Sequence, residues 1–302
     1  MKILMTGATG YIGNSLLKKI SSIHELTILV RFDSDITALD LHQVKVIEID
    51  QDGSFGDQIL KENFDGVIHL ASLFLSGHKA SDIGNLIQSN IEYGTKLLEA
   101  CKGVNWFINV GTFWQHFEQR EYNPVNLYAA TKEAFEKIAL YYTETTKLKF
   151  VTLKLSDTYG KNDTRRKILN ILNEHSYSGQ TLNMSPGEQL LSLSHIDDVV
   201  SSFERLVSLL EKSSSDVKNN DVFNVQAIKV YSLKQITAIF EEACERKLNI
   251  NWGGQPYRDR EVMIPWEADL PVPGWKARWK LEDGIRSVFG DDDAIYNCNT
   301  DI

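Results

Sequence analysis

The stretch Met5-Thr-Gly-Ala-Thr-Gly-Tyr-Ile-Gly13 restricts this chain more than any other. A short apolar run, Ile3-Leu4-Met5, leads into it, and Leu16-Leu17 continues an apolar helix face behind it. Glycines at 7, 10 and 13 therefore stand between a strand and a helix. Gly7 allows the tight turn, Gly10 lets backbone N–H groups approach a pyrophosphate, and Gly13 lets helix and strand pack closely. The phosphates of a dinucleotide would lie at the positive end of the helix dipole. Three spaced glycines could equally be a turn without a ligand; it is the strand-to-helix context that favours a cofactor. Thr9, Tyr11 and Ile12 are expected to touch that cofactor together with Gly7, Gly10 and Gly13.

The rest of the first half repeats the alternation. Leu26–Val30 and Val44–Ile49 read as strands, followed by Gly66–Ala71 and Trp106–Val110, then Phe150–Leu155; long helices are expected over 84–102 and from Leu127 onward. Such alternation predicts a doubly wound parallel α/β sheet, a Rossmann fold. Ligands of open parallel sheets bind outside the C-terminal strand edges, so Leu70, Ala71, Ser72, Val110 and Leu155 are candidate cofactor neighbours. His69 lies inside an apolar run and is read as a satisfied core histidine. Just past the second strand stands Arg31, which can pair with a 2′-phosphate where an acid would repel it; this favours NADPH over NADH, against a nearby Asp33. Asp50, past the third strand, is either an adenine contact or a loop carboxylate. Gly94, in the helix expected over 84–102, is read as a site of close packing.

Beyond 155 the character changes. A polar loop and helix start at Lys161 precede a helix from His195-Ile-Asp-Asp to about 211, a short strand at Val222–Val225, and a helix capped by Ser232 and Gln235. The segment 251–278 is rich in Trp, Pro and Gly, a last helix covers about 280–289, and the acidic run after Gly290 is expected to fray. The domain reading is residues 1–155 plus about 196–225 as the dinucleotide domain, with about 156–195 and 226–302 as a smaller substrate lobe. A length of 302 residues suits that division. The net charge of −9 argues against a nucleic-acid partner, and no apolar run approaches the ~18 residues of a membrane span. The first strand begins at Met1-Lys2-Ile3, so no secretory leader is expected. Cys101, Cys244 and Cys298 show neither metal nor disulfide spacing. No metal and a reducing cytoplasm are expected, as is a homodimer.

The chemistry is carried by Thr112, Tyr128 and Lys132. Tyr128 and Lys132 are four apart on a helix and project from one face, about 6 Å apart along the axis. A nearby ammonium favours the phenolate of a tyrosine and can also hold a nicotinamide ribose. Thr112 lies at the end of the fifth strand, where its hydroxyl can bond to a substrate oxygen. A lone Y-x-x-x-K is a common accident; the upstream glycine loop and the strand-end threonine give it weight. Together they suit hydride transfer, with Tyr128 supplying the proton.

These segments make the whole chain resemble the extended short-chain dehydrogenase/reductases, a group of nucleotide-sugar epimerases, dehydratases and reductases. The resemblance rests on Thr6–Gly13, His69-Leu-Ala-Ser72, Asn90 with Gly94-Thr95, Gly111-Thr112, Tyr128-Ala-Ala-Thr-Lys132, Tyr159-Gly160 and His195-Ile-Asp-Asp198. It implies a nicotinamide cofactor and adds Asn90 to its neighbours. Dehydratases of the group carry Asp and Glu after the catalytic threonine, whereas Phe113 and Trp114, candidate substrate neighbours, stand here. Tightly NAD-bound 4-epimerases usually carry an acid where Arg31 stands. A simple ketoreductase remains, and Leu153–Gly160, Tyr257–Met263 and Pro273-Gly-Trp275 look most like the CDP-abequose and CDP-paratose synthases. Those reduce the C4 ketone of CDP-3,6-dideoxy-4-keto-hexoses with NADPH. By that match Arg258 would contact the substrate pyrophosphate with Lys154 nearby, although Arg258 could instead pair with Asp259 or Glu261. Two departures stand out. Leu191-Ser192 replaces an Arg-Asp pair that often serves the phosphates, and Asp157 would bring a carboxylate toward them unless it turns away. A 4-epimerase, a reductase of a non-nucleotide carbonyl and a non-catalytic cofactor-sensing module are the competing readings.

Overall fold

Strand β1 (Lys2–Thr6) is apolar at Ile3, Leu4 and Met5, and all three are fully buried. A strand hidden on both faces belongs in the middle of a parallel sheet. It lies there, between β2 (Glu25–Arg31) and β4 (Gly66–His69), parallel to both. The computed structural model describes residues 1–290 except Asp52 and Asp269. The acidic run after Gly290 and Cys298 lie outside the described residues.

In chain order, β1 is followed by α1 (Tyr11–Ile20), β2, β3 (Val44–Ile49), a short α2 (Gly56–Leu60) and β4. Next come α3 (Ile83–Ile87), α4 (Tyr93–Ala100), β5 (Trp106–Thr112), α5 (Leu127–Thr145) and β6 (Lys149–Leu155). The chain continues through β7 (Asp157–Tyr159), α6 (Ile168–Ser178), β8 (Leu182–Met184), β9 (Leu190–Leu191) and β10 (Leu193–His195). After α7 (Ile196–Glu211) and β11 (Val222–Val225) it ends with β12 (Tyr231–Ser232), α8 (Leu233–Cys244), β13 (Ile250–Trp252) and α9 (Leu281–Phe289).

Two units result. The first comprises Met1–Ser156, Val199–Val225 and Trp266–Lys276. Its seven strands pair in the order β11-β6-β5-β4-β1-β2-β3, all parallel. The expected doubly wound parallel sheet is therefore the fold. Its helix layer packs through Leu97, Leu98, Phe135 and Ala139 against Phe107 and Val67, each at most 1% exposed. Burying a side chain such as Phe107 contributes about 1.5–3 kcal/mol. Gly94 answers to the same packing, because a Cβ there would lie 2.6 Å from the Phe135 ring. The second unit comprises Asp157–Asp198, Gln226–Pro265 and the chain from Ala277. It has a core of its own around Leu172, Ile236, Phe240 and Ile285. Three two-stranded pairs accompany it: β7 with β10, β9 with β12, and β8 with β13. The Ser232–Gln235 capping box opens α8 as expected.

One element differs from its expectation. The helix foreseen over 84–102 is interrupted by a π-helical turn, Gln88–Glu92, between α3 and α4. The widened turn turns Asn90 inward, 2% exposed. There its Oδ1 accepts from the Leu73 N–H at 2.7 Å, and its Nδ2 donates to the Leu73 carbonyl at 3.0 Å and to Thr131 Oγ1 at 2.9 Å. A buried amide with three partners holds a turn that the apolar period does not reveal.

Candidate active site

The chain order reverses between β1 and β4, where an open parallel sheet offers a crevice for ligands. Gly7 leaves β1 at φ 75°, and a Cβ there would lie 2.6 Å from the Ala71 N, so two backbones meet at glycine distance. At Gly13 a Cβ would lie 2.1 Å from the Gly7 carbonyl oxygen. These contacts seat α1 directly behind the loop. Gly10, its N-cap, supplies no side-chain cap, so the first-turn N–H groups are left for an anion. This cradle fits the pyrophosphate of a dinucleotide. Thr9 and Gly10 are exposed, while Tyr11 and Ile12 are half-buried. At the base of the cradle Thr6 Oγ1 bonds His69 Nδ1 at 2.8 Å and accepts from the Ala71 N–H at 3.3 Å. Burial, with Lys132 second, drives the His69 pKa down to about 3, so it is a neutral core residue. Leu70 and Ala71 are half-buried and Ser72 exposed. At the outer strand ends Arg31 is exposed, 3.5 Å from Asp33, and Asp50 accepts from the Ser54 hydroxyl at 3.1 Å.

Thr112 ends β5 and caps the short turn Phe113–Gln115. Its Oγ1 accepts from the Trp114 N–H at 3.3 Å, and its own N–H donates to Gln115 Oε1 at 2.9 Å. The Thr112 hydroxyl proton is thereby left for an outside acceptor. Tyr128 and Lys132 follow in the first turns of α5, capped by Asn126, whose Oδ1 accepts from the Ala129 N–H at 3.0 Å. The same amide donates to the carbonyls of Leu75 and Ser76, which ties the loop after β4 to the helix start. That loop carries Phe74, edge-on to Tyr128 at 5.0 Å and 5.6 Å from Trp114. Lys132 is 2% exposed. Burial lowers its pKa to about 8, with Glu136 opposing the shift. Val110 is half-buried and Leu155 buried, each at the same sheet edge.

Behind Thr112 lies a charged cluster that the sequence did not announce. Gln115 Nε2 donates to Glu133 at 2.6 Å and to Glu136 at 3.0 Å. Lys154 stands 3.8 Å from Glu133 and 3.6 Å from Glu136, and bonds His116 Nε2 at 2.7 Å. His116 stacks on Trp266 at 4.0 Å, and Phe113 meets the edge of that ring at 5.5 Å. Lys154 is 3% exposed, and its ammonium lies among these protein partners. Phe113 is buried in the same way, whereas Trp114 is half-buried beside Phe74. Burial, then Lys154, lowers the His116 pKa, which leaves Nε2 as an acceptor. For Glu133 burial acts upward, but the Gln115 amide, Lys154 and Lys137 outweigh it and the pKa falls. For Glu136 burial wins and the pKa rises. One signal was available: Thr112-x-x-Gln115 has the spacing of a capping box.

In the second unit, Asp157 forms an ion pair with Lys167 at 2.8 Å, so its carboxylate is neutralised locally. Arg258 is exposed. Glu261 accepts from its backbone N–H at 3.3 Å, and among the described residues no ion pair joins its guanidinium to Asp259 or Glu261. Leu191 pairs with Tyr231 in the β9–β12 ribbon.

The model of the NAD dependent epimerase/dehydratase family matches residues 3–225, from β1 through β11. The chain belongs to that family. Its relatives include a CDP-abequose synthase of Yersinia pseudotuberculosis, 30% identical over 88% of this chain and 92% of that protein. A second CDP-abequose synthase, from Salmonella muenchen, is 26% identical over 95% of this chain and 97% of its own. Among solved structures, a UDP-glucuronic acid 4-epimerase from Bacillus cereus in complex with UDP-glucuronic acid and NAD superposes with a TM-score of 0.83. It is 21% identical, covering 96% of this chain and 98% of that one, and speaks for the fold. Phe113 is buried and apolar and Trp114 carries an indole, so neither residue after Thr112 offers a carboxylate.

Proposed function

We propose that this protein is an NADPH-dependent reductase of the C4 ketone of a nucleotide-linked deoxy-4-keto-hexose, with CDP as the nucleotide. The observation that carries the reading is Thr112 at the end of β5 with Tyr128 and buried Lys132 in the first turns of α5, in a chain 30% identical to a CDP-abequose synthase. A bound reduced nicotinamide supplies the hydride. Tyr128 donates its hydroxyl proton to the carbonyl oxygen as that oxygen gains charge. Thr112 donates a second hydrogen bond to the same oxygen, which its contact with Trp114 leaves it able to do. Lys132 holds the ribose and, as a cation, favours the tyrosinate left after proton transfer. Phe74 and Trp114 offer an apolar wall beside Tyr128, which suits a sugar that has lost hydroxyl groups, since a hydroxyl buried there would lack a partner.

Arg31 supports NADPH. Its guanidinium is exposed, and Asp33 at 3.5 Å is its ion-pair partner. An exposed pair of this kind is weak and yields readily to a 2′-phosphate. Arg31→Asp is expected to reverse the preference between NADPH and NADH. Steady-state rates with both cofactors check this, and a wild-type enzyme using NADH at least as well would refute the cofactor assignment.

A reductase of a non-nucleotide carbonyl is the second reading, favoured by Leu191 where an arginine often serves the phosphates. The two separate at Arg258. A bidentate guanidinium–phosphate contact is worth roughly 1.5–3 kcal/mol. Arg258→Ala should therefore raise the KM for a CDP-linked 4-keto sugar about tenfold or more, with NADPH affinity hardly changed. A KM within twofold of wild type would favour the second reading. The direct test of the proposal is NADPH oxidation with a panel of keto-sugar nucleotides.

A further inference from the structure

Tyr128, Lys132 and Glu136 are spaced by four on α5 and so lie one above another on one face. The carboxylate at the far end of this ladder belongs to the cluster behind Thr112. We propose that Gln115, Glu136 and Lys154 form a buried positioning network that keeps Lys132 protonated while it fixes the main chain at Thr112. None of the three need touch the reactants. Each acts through a residue that does. The inference rests on the ribose-binding role proposed for Lys132.

The hydrogen bonds point one way. The amide of Gln115 spends both its protons on carboxylates, Glu133 and Glu136, and its oxygen on the Thr112 N–H. Its orientation is thus set by charge, and it sets the backbone of Thr112 in turn. Gly111 lets these groups approach the strand, since a Cβ there would lie 2.8 Å from Gln115 Oε1, 2.9 Å from Lys154 Cγ and 3.0 Å from Glu136 Oε1. Two buried carboxylates repel each other and lose hydration, so each tends toward the neutral form. Lys154 lies within 4 Å of both and counters that tendency. Its third direction is taken by neutral His116, whose Nδ1 faces the Arg120 carbonyl at 3.1 Å and whose ring is held by Trp266.

Glu136 stands one helical turn from Lys132 on α5 and acts to raise its pKa. Tyr128 stands one turn back from Lys132 on α5, and His69, Tyr93 and Glu133 lie on the elements around it. His69 of β4 is neutral. Tyr93, from α4 and packed on His69, is pushed upward by burial and is neutral too. Glu133 lies on the same helix but is engaged by Gln115, Lys137 and Lys154. The charge of Lys132, whose pKa is about 8, is consequently supported by Glu136 against its own desolvation. Its cationic form is lost as pH rises through that value, and removal of the Glu136 charge moves the loss to lower pH.

The test is the pH dependence of NADPH binding by the full chain, read from nicotinamide fluorescence, which needs no sugar substrate. In the wild type affinity is expected to fall above about pH 8. Lys132→Met should remove that fall, and its persistence would overturn the assignment to Lys132. Glu136→Gln should move the midpoint down by about one pH unit. Glu136→Asp retains the charge, is the variant to use if the glutamine form does not fold, and should give a midpoint between the two. A midpoint unchanged in Glu136→Gln, or identical in the Gln and Asp variants, would mean that Glu136 acts by packing alone and would overturn the proposal. Wild-type protein that fails to bind NADPH at any pH would overturn the cofactor reading itself, an outcome distinct from binding with an unshifted midpoint.

Discussion

Turnover of a keto-sugar nucleotide by Tyr128→Phe is expected to fall about 10²–10⁴-fold, the usual worth of general acid catalysis. NADPH affinity should stay within about threefold of wild type. The reasons are local. The substitution removes one hydroxyl and keeps the ring, so the edge contact with Phe74 survives. The main chain of α5 is held by the Asn126 cap and by the Thr131 hydroxyl, which donates to the Tyr128 carbonyl at 2.7 Å. Thr112 and Lys132 remain, so the variant should still bind both ligands and fail only at proton transfer. Single-turnover oxidation of NADPH separates these effects. Residual turnover above about a tenth of wild type would show that another group supplies the proton.

Gly13→Ala is expected to weaken NADPH binding by about 100-fold or more and to destabilise the fold by about 1–3 kcal/mol. The added Cβ would lie 2.1 Å from the Gly7 oxygen and 2.8 Å from the Gly7 carbon, both main-chain atoms that cannot rotate away. Helix α1 must then lift from the loop, and its first-turn N–H groups leave their positions around the pyrophosphate. Loss of two charge-assisted hydrogen bonds at roughly 1.5–3 kcal/mol each accounts for the affinity. Gly84→Ala in α3 is the control, because a Cβ there meets nothing within 4 Å. Equal dinucleotide affinity in Gly13→Ala and Gly84→Ala would contradict the close approach at Gly13. Denaturant unfolding of both variants separates a local cradle defect from a global loss of stability.

What was legible in the sequence follows the range of the interactions involved. The glycine loop, the parallel strands and the Tyr128–Lys132 pair are written in short stretches, because burial on both faces gives continuous apolar runs and a helix repeats every 3.6 residues. The core role of His69 was legible for the same reason, since its neighbours in sequence are all apolar. These features determined the sheet and the edge at which a ligand would sit. The π turn at Asn90 was not legible, as it depends on partners at Leu73 and Thr131, 17 and 41 residues away. Lys154 was read from its motif as a neighbour of the substrate phosphates. Only tertiary structure brings it to His116, 38 residues distant, and to two glutamates of α5. Trp266 came from a stretch notable only for its composition, yet its ring stacks on His116. The sequence by itself determined the fold and pointed to the reacting groups proposed here, because strand burial and helix spacing are local. The environment of Lys132 and the support of Thr112 were decided by tertiary structure, because desolvation and charge pairing depend on which distant side chains are brought within a few ångströms.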